Sequence, residues 1–192
     1  MTDRQQVFVK AAMEIVGTEG YNKCTIRNVA ARVGVTEPAV YRHFKNKVDL
    51  LTIMLQHLQT TILPVLELRQ KGNEGLEEVL DRFAQTLFTT LSDNPELGIF
   101  LFFEEVFHHE KELKPVLLEI IEEAQKKLSR DLATLQEKKL VRSDLPSQSL
   151  GLLLIGTLRL MIGRMHMGHT AQAQDLASQY VQLFLVVLRP QA

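Results

Sequence analysis

The sequence predicts an all-α fold, in which a small three-helix domain is followed by a larger helical bundle, giving about nine helices in total. Two observations support this class. Apolar residues recur at helical spacing along most of the 192 residues, and no strand-like alternation of useful length interrupts them. Glycines and prolines stand mostly between these periodic segments, where helices end.

The first helix is predicted from Asp3 to Thr18, with Gly20 as its stop. The segment from Thr25 to Lys47 then predicts two short helices separated by a tight turn. Thr25 is a candidate N-cap for the first of them, and Gly34 can take the left-handed geometry that ends it. Thr36 is a candidate N-cap for the second, which is predicted over Glu37 to Phe44.

The second short helix has one buried and one exposed side. Val40 and Phe44 are predicted to be buried, and the outward-facing residues are Glu37, Ala39, Tyr41, Arg42 and His43. A helix presented in this way can enter the major groove of DNA through its N-terminal residues. The order and spacing of these features indicate a helix-turn-helix.

The rest of the chain predicts longer helices. A fourth begins near Asn46 and is kinked or ended by Pro64. The further predicted helices span Leu76 to Leu91, the apolar segment 98–109, Lys114 to Leu140, Pro146 to Met167, and Ala173 to Leu188.

Charge is divided unevenly along the chain. Residues 1–50 carry an excess of three positive charges, whereas residues 51–192 carry an excess of four negative charges. This asymmetry is expected if only the N-terminal part meets phosphate groups.

Cysteine usage and hydropathy indicate the compartment. The single cysteine, Cys24, excludes an internal disulfide and suits a reducing environment. We interpret it as a small buried residue, with a redox sensor as the alternative. No signal peptide is seen, and no apolar run approaches the ~20 residues that span a bilayer, so a cytoplasmic protein without membrane contact is expected.

The stretch from Val9 to Leu51 resembles the TetR family of bacterial transcription regulators. The matching features are the run AAMEIVGTEGYNKCTIRNVA, the turn segment GVTEPAVYRHFKNK and the following VDLL. The resemblance implies a DNA-binding regulator, most often a repressor, that binds a palindromic double-stranded operator. It also implies a helix-turn-helix domain in residues 1–46 and a helical ligand-binding and dimerisation domain in residues 47–192.

The resemblance assigns roles to individual residues. Tyr41 and His43 resemble the family's phosphate-contacting pair, and Lys47 is expected to add a phosphate contact at the start of the fourth helix. The hydroxyls of Thr25 and Thr36 can serve both as caps and as phosphate donors.

Base reading is then expected from the remaining exposed residues. Arg27 and Arg42 can bind guanine, and Glu37 can accept a hydrogen bond from the amino group of cytosine. Ala39 can contact a thymine methyl group.

One copy of this motif contacts too few bases for useful specificity, so a homodimer is expected. The last two predicted helices suit its interface, although their apolar stripes could also pack inside the chain. The candidate interface residues are Leu152, Gly156, Gly163, Ala173, Ala177, Tyr180 and Phe184.

Aromatic and methionine residues on several helices can enclose a pocket for a small apolar or amphipathic organic effector. Arg159 interrupts an apolar run, so we predict a buried cation whose partner is an internal glutamate or an anionic ligand. The candidate pocket residues are Phe88, Phe100, Phe103, Glu104, Phe107, Arg159 and Met161.

One group of residues suggests a different class of function. Glu104, Glu105, His108 and His109 have a spacing that di-metal helical bundles use, so a metal-dependent enzyme is an alternative. The set lacks a second Glu-x-x-His motif, and no serine, cysteine or lysine is set beside a plausible base. We therefore expect neither an enzyme nor a cofactor. A third interpretation is an architectural DNA-binding protein without an effector.

Overall fold

The computed structural model describes residues 1–94, 97, 110–166 and 173–190, and the predicted all-α class is confirmed over these ranges. Their α-helices are α1 (Asp3–Glu19), α2 (Ile26–Val33), α3 (Glu37–Tyr41), α4 (Lys47–Val65), α5 (Leu76–Asp93), α6 (Lys114–Glu137), α7 (Ser147–His166) and α8 (Ala173–Leu188). None of these helices combines the length and apolarity needed to cross a bilayer. The apolar helix predicted at 98–109 lies outside the described residues.

Side-chain caps explain where several helices begin. The Thr2 hydroxyl accepts a bond from the Gln5 backbone N–H at 3.2 Å, and the Gln5 side chain accepts one from the Thr2 N–H at 2.9 Å. The Asn46 side chain accepts a bond from the Asp49 N–H at 2.8 Å, as expected of a cap for α4. These bonds satisfy backbone donors that have no partner within the first turn of a helix.

Two helices are shorter than predicted. Helix α3 ends at Tyr41, because the N–H groups of His43 and Phe44 both turn back to the Val40 carbonyl, at 2.9 and 3.1 Å. Helix α6 ends at Glu137 rather than Leu140, because Lys139 adopts a left-handed φ of 59°. Both differences arise from backbone turns at helix ends, which apolar periodicity does not reveal.

The chain forms two compact units, and the first comprises residues 1–60 and 95–119. Its described core contains Phe8, Met13, Ile15, Val40, Phe44, Leu50 and Met54. The ring of Phe8 meets that of Phe44 edge-on, with centroids 6.0 Å apart. The units do not divide at residue 46, so the functional boundary between residues 1–46 and 47–192 stays a prediction.

The second unit comprises residues 61–94 and 120–192, and helices α5 and α8 pack closely within it. Tyr180 is fully buried there, with ring centroids of Phe83, Phe88 and Phe184 at 6.0, 6.1 and 4.5 Å. Its hydroxyl donates a bond to the Leu154 carbonyl at 3.3 Å, and burial raises the pKa of Tyr180 well above its usual value. This aromatic cluster joins α5 and α8 to α7.

A buried carboxylate stabilises the segment that follows α4. Asp131 on α6 accepts one bond from the Leu68 backbone N–H at 3.1 Å and another from the Arg69 guanidinium at 3.0 Å. Because a buried carboxylate without partners is costly, these two bonds account for a charged residue at this position.

Several residues expected at a dimer interface are instead core residues of their own chain. Ala177, Tyr180 and Phe184 are buried against the chain, and Gly163 is buried as well. The apolar stripe of α8 is therefore the side that packs inward. Leu152 and Gly156 on α7 are exposed, and Ala173 is partly exposed.

We predict that Phe184→Ala lowers the free energy of unfolding by about 3–5 kcal/mol, because it opens a cavity in the aromatic cluster. Urea denaturation at several protein concentrations measures the loss. Gln182→Ala on the exposed side of α8 is the control and should change the free energy by less than about 0.5 kcal/mol. A Phe184→Ala effect that appeared only at low protein concentration would place Phe184 at a subunit interface instead.

Candidate nucleic-acid interface

Helix α2 and the turn after it are built by local bonds. The Thr25 hydroxyl accepts a bond from the Asn28 N–H at 3.1 Å, which confirms the predicted cap. Gly34 has a φ of 75°, and the Val35 N–H reaches back to the Ala30 carbonyl at 2.9 Å. This left-handed C-terminal turn reverses the chain between the two short helices.

Helix α3 is held by its apolar side. Val40 in α3 and Phe44, three residues beyond its end, are 0% and 1% exposed. Glu37, Tyr41 and Arg42 are exposed, and Ala39 is partly exposed. The predicted division between anchoring and outward-facing residues is thus seen at these positions.

The other predicted contact residues on α2 and in the turn lie on the same unit. Arg27 is exposed on the first turn of α2. Thr36 has the extended backbone of an N-cap, but its hydroxyl makes no capping bond. The Thr25 hydroxyl accepts its capping bond and still has a hydrogen to donate. Both hydroxyls are therefore able to donate to an anion.

Arg32 forms ion pairs within the protein. Its guanidinium bonds to Glu19 and lies 3.7 Å from Glu14, and both glutamates are on α1. This arginine therefore joins α2 to α1.

His43 is less available than its predicted role requires. It is partly buried, and its ring centroid lies 5.5 Å from that of Phe8. Its backbone carbonyl accepts a bond from the Gln5 side chain at 3.4 Å. His43 therefore also supports the packing of α3 against α1.

Lys47 is engaged by two residues that sequence reasoning did not single out. Its ammonium lies 3.8 Å above the ring centroid of Tyr21 and 3.8 Å from a carboxylate oxygen of Glu110. The Tyr21 hydroxyl donates to the same carboxylate oxygen at 2.5 Å. Tyr21 and Glu110 are 89 residues apart, so no local spacing pattern could have joined them.

Burial governs the titration of the two groups beneath this surface. Burial, together with the bond to Glu110, raises the pKa of the Tyr21 phenol, so it stays a hydrogen-bond donor at neutral pH. Burial also raises the pKa of the Cys24 thiol to about 11, against a smaller opposing effect of Lys47. A reactive cysteine needs a low pKa and solvent access, so the structure favours the structural interpretation of Cys24.

The predicted effector pocket is described only in part. Phe100, Phe103, Glu104 and Phe107 lie outside the described residues, as do the alternative metal-binding residues Glu105, His108 and His109. Phe88 is buried in the aromatic cluster around Tyr180, and Met161 is partly buried.

The prediction that Arg159 is a buried cation is corrected. Arg159 is exposed on α7, because the helix turns it to the same side as the exposed Leu152 and Leu160. It therefore needs no anionic ligand to compensate for burial.

A surface cavity of about 400 Å³ lies between α6 and the start of α7. Most of the residues that line it are of polar or charged types, among them Lys126, Arg130, Ser147 and Gln148. None of the predicted pocket residues lines it, so it lends no support to that prediction.

The helix-turn-helix corresponds to a known sequence family. Residues 8–52 match the model of bacterial regulatory proteins of the tetR family. An HTH-type transcriptional repressor of Mycobacterium tuberculosis is 31% identical over 100 residues, which cover 50% of this chain and 53% of the repressor. The nucleoid occlusion factor SlmA of Haemophilus influenzae is 27% identical over 107 residues, covering 53% of this chain and 49% of SlmA. The chain thus spans about half the length of these relatives.

The fold is similar to that of solved structures over nearly the whole chain. The fatty acid degradation regulator FadR from Bacillus halodurans gives a TM-score of 0.82 at 20% identity, covering 96% of each chain. A helix-turn-helix followed by further helices is the fold that the described residues share with this solved structure. Within this fold, the helix-turn-helix segment at residues 8–52 belongs to the tetR family of bacterial regulatory proteins.

We predict that Gly34→Val lowers the free energy of unfolding by about 1–2 kcal/mol, because a branched side chain is strained at a left-handed φ. Gly34→Asn is the matched control. It should cost less, because asparagine tolerates this conformation and no neighbouring atom lies within 4 Å of a Cβ atom at this position. Thermal unfolding measures both, and equal losses for the two variants would show that the turn is not the cause.

Proposed function

We propose that the protein is a transcriptional repressor that binds a palindromic DNA operator as a homodimer and responds to a small organic effector. The observation that carries this proposal is the anchoring of α3 by Val40 and Phe44, which leaves Glu37, Tyr41 and Arg42 exposed. This arrangement lies within the segment that matches the family. Members of that family bind DNA, and the relative from Mycobacterium tuberculosis is named a repressor.

The exposed residues suit two kinds of DNA contact. Arg27 and Arg42 offer guanidinium groups to guanine, Glu37 offers an acceptor to cytosine, and Ala39 offers a methyl group to thymine. The hydroxyls of Thr25, Thr36 and Tyr41 offer donors to phosphate oxygens. His43 and Lys47 remain proposed phosphate contacts, although each is also engaged within the protein.

The proposed dimer face consists of exposed apolar residues of the second unit. Leu152 and Leu160 on α7 are 60% and 63% exposed, and Val186 on α8 is 77% exposed. A Cβ atom added at Gly156 would meet no atom within 4 Å outside its own helix, so the surface is open to another subunit there. The two helices pack against each other, and large exposed apolar residues on packed helices are candidates for an interaction site.

The proposed effector is a small apolar or amphipathic organic molecule bound in residues 47–192. Similarity to a fold whose solved member is named a fatty acid degradation regulator supports this choice. Phe88 and Arg159 are withdrawn from the proposed pocket, because the first belongs to the core and the second is exposed. The remaining candidates are Phe100, Phe103, Glu104, Phe107 and Met161.

Selection of bound fragments from randomised duplex DNA tests the function, at a salt concentration that suppresses unspecific electrostatic binding. A recovered site with two-fold symmetry would support a dimeric reader. The recovered operator then allows amphiphiles such as decanoate to be tested for release of the protein. If no amphiphile changes operator affinity, the architectural alternative without an effector gains support.

We predict that Arg42→Ala relaxes base preference at one position of each half-site and costs about 1–3 kcal/mol there. Competition binding with single-base variants of the operator measures this loss. Lys45→Ala, which removes an exposed cation three residues further on, is the control and should weaken all sequences alike. Uniform weakening by Arg42→Ala as well would show that Arg42 does not read a base.

We also predict that Leu160→Arg converts the homodimer to monomers, because it removes an apolar side chain from the proposed interface and adds a second cation beside Arg159. Sedimentation at several protein concentrations measures the change. Thr134→Arg, at an exposed position of α6, adds the same charge outside the proposed interface and should leave the dimer intact. A Leu160→Arg protein that remains dimeric would exclude this face.

A further inference from the structure

In the first compact unit, three side chains from distant parts of the sequence meet at the start of α4. Tyr21 comes from the 3₁₀ turn before α2, Lys47 is the first residue of α4, and Glu110 precedes α6. We name these three residues the Lys47 cluster. A single oxygen of Glu110 accepts the Tyr21 hydroxyl bond at 2.5 Å and lies 3.8 Å from the Lys47 ammonium.

The geometry of the cluster restrains the lysine. The ammonium is 3.8 Å from the Tyr21 ring centroid, a position in which a cation is attracted by the negative face of the ring. The Tyr21 hydroxyl at the same time fixes the carboxylate that faces the ammonium. The side chains of Lys47 and Glu110 are 27% and 24% exposed, so the cluster is accessible at its edge.

This restraint bears on the place where a phosphate is proposed to bind. The N-terminus of α4 is the positive end of a helix, although the Asp49 N–H is bonded to Asn46 and the Asp49 carboxylate accepts a bond from the Lys45 N–H. Lys47 would add its charge there. A carboxylate paired with that lysine cancels part of this attraction. A phosphate oxygen must therefore either displace Glu110 from Lys47 or approach against its negative charge.

We propose that Glu110 is a positioning residue that holds Lys47 over Tyr21 and thereby lowers the affinity of the protein for DNA of every sequence. This inference rests on the proposed DNA-binding function. A phosphate contact carries no sequence information, so Glu110 sets the strength of binding without changing the preferred operator. Glu110 thus influences DNA affinity although it lies outside the helix-turn-helix segment.

The variant Glu110→Gln removes the negative charge of Glu110 but keeps its hydrogen bond to Tyr21. Its amide oxygen still accepts the Tyr21 hydroxyl bond, whereas the pairing with Lys47 loses its charge. We expect DNA affinity to rise about two- to five-fold, the range for a partly exposed ion pair. The rise should be equal for the selected operator and a random duplex. The dependence of affinity on salt should steepen by up to about one released ion, because one more lysine is free to neutralise a phosphate.

Three further variants complete the experiment. Glu112→Gln removes the same charge from an exposed residue nearby and measures the general electrostatic effect. Lys47→Met removes the ammonium, and in that background Glu110→Gln should raise affinity no more than Glu112→Gln does. Fluorescence anisotropy of labelled duplexes at several salt concentrations gives each value, and circular dichroism confirms that each variant is folded.

The outcomes distinguish the two proposals. Equal effects of Glu110→Gln and Glu112→Gln, or an effect of Glu110→Gln that persists in Lys47→Met, would overturn the role of Glu110 while leaving DNA binding intact. Failure of the unaltered protein to bind any duplex at low salt would overturn the proposed function, and the inference with it.

Discussion

The burial of Val40 and Phe44 is the constraint on which the proposed DNA-reading surface depends. Helix α3 has only five residues, which is too short for a helix to persist in water on its own. Its position is therefore set by packing, through Phe44 against Phe8 and through the contact of His43 with the same ring. The residues that face outward do so because these two anchors face inward. A change on the buried side of α1 would thus shift the outward-facing residues without altering any of them.

Local features of the sequence predicted the first unit well. Thr25 and Asn46 cap their helices through bonds to residues three positions later, and Gly34 ends α2 through its own backbone angle. Such interactions join near neighbours, so they are visible in the order of the residues. The Lys47 cluster was not predictable in the same way, because Glu110 reaches Lys47 only through the tertiary fold.

The second unit shows a different limit of sequence reasoning. An apolar stripe indicates that one side of a helix is buried. It does not indicate whether the chain itself or another subunit covers that side. On α8 the stripe with Tyr180 and Phe184 packs inward, whereas on α7 Leu152 and Leu160 stay exposed. Arg159 marks the outer side of α7, so an arginine within an apolar run indicated a solvent-facing position and not a buried charge.

The position of Cys24 has a consequence for following the motions of the protein. It is the single thiol of the chain, it is 0% exposed between the 3₁₀ turn and the Thr25 cap, and its pKa is raised to about 11. A thiol-specific reagent can modify it only when the surrounding residues open and release it to water. The rate of modification therefore reports how often the helix-turn-helix region opens, as hydrogen exchange does for a backbone amide. Cys24 can therefore serve as a native probe of opening in this region, without an engineered cysteine.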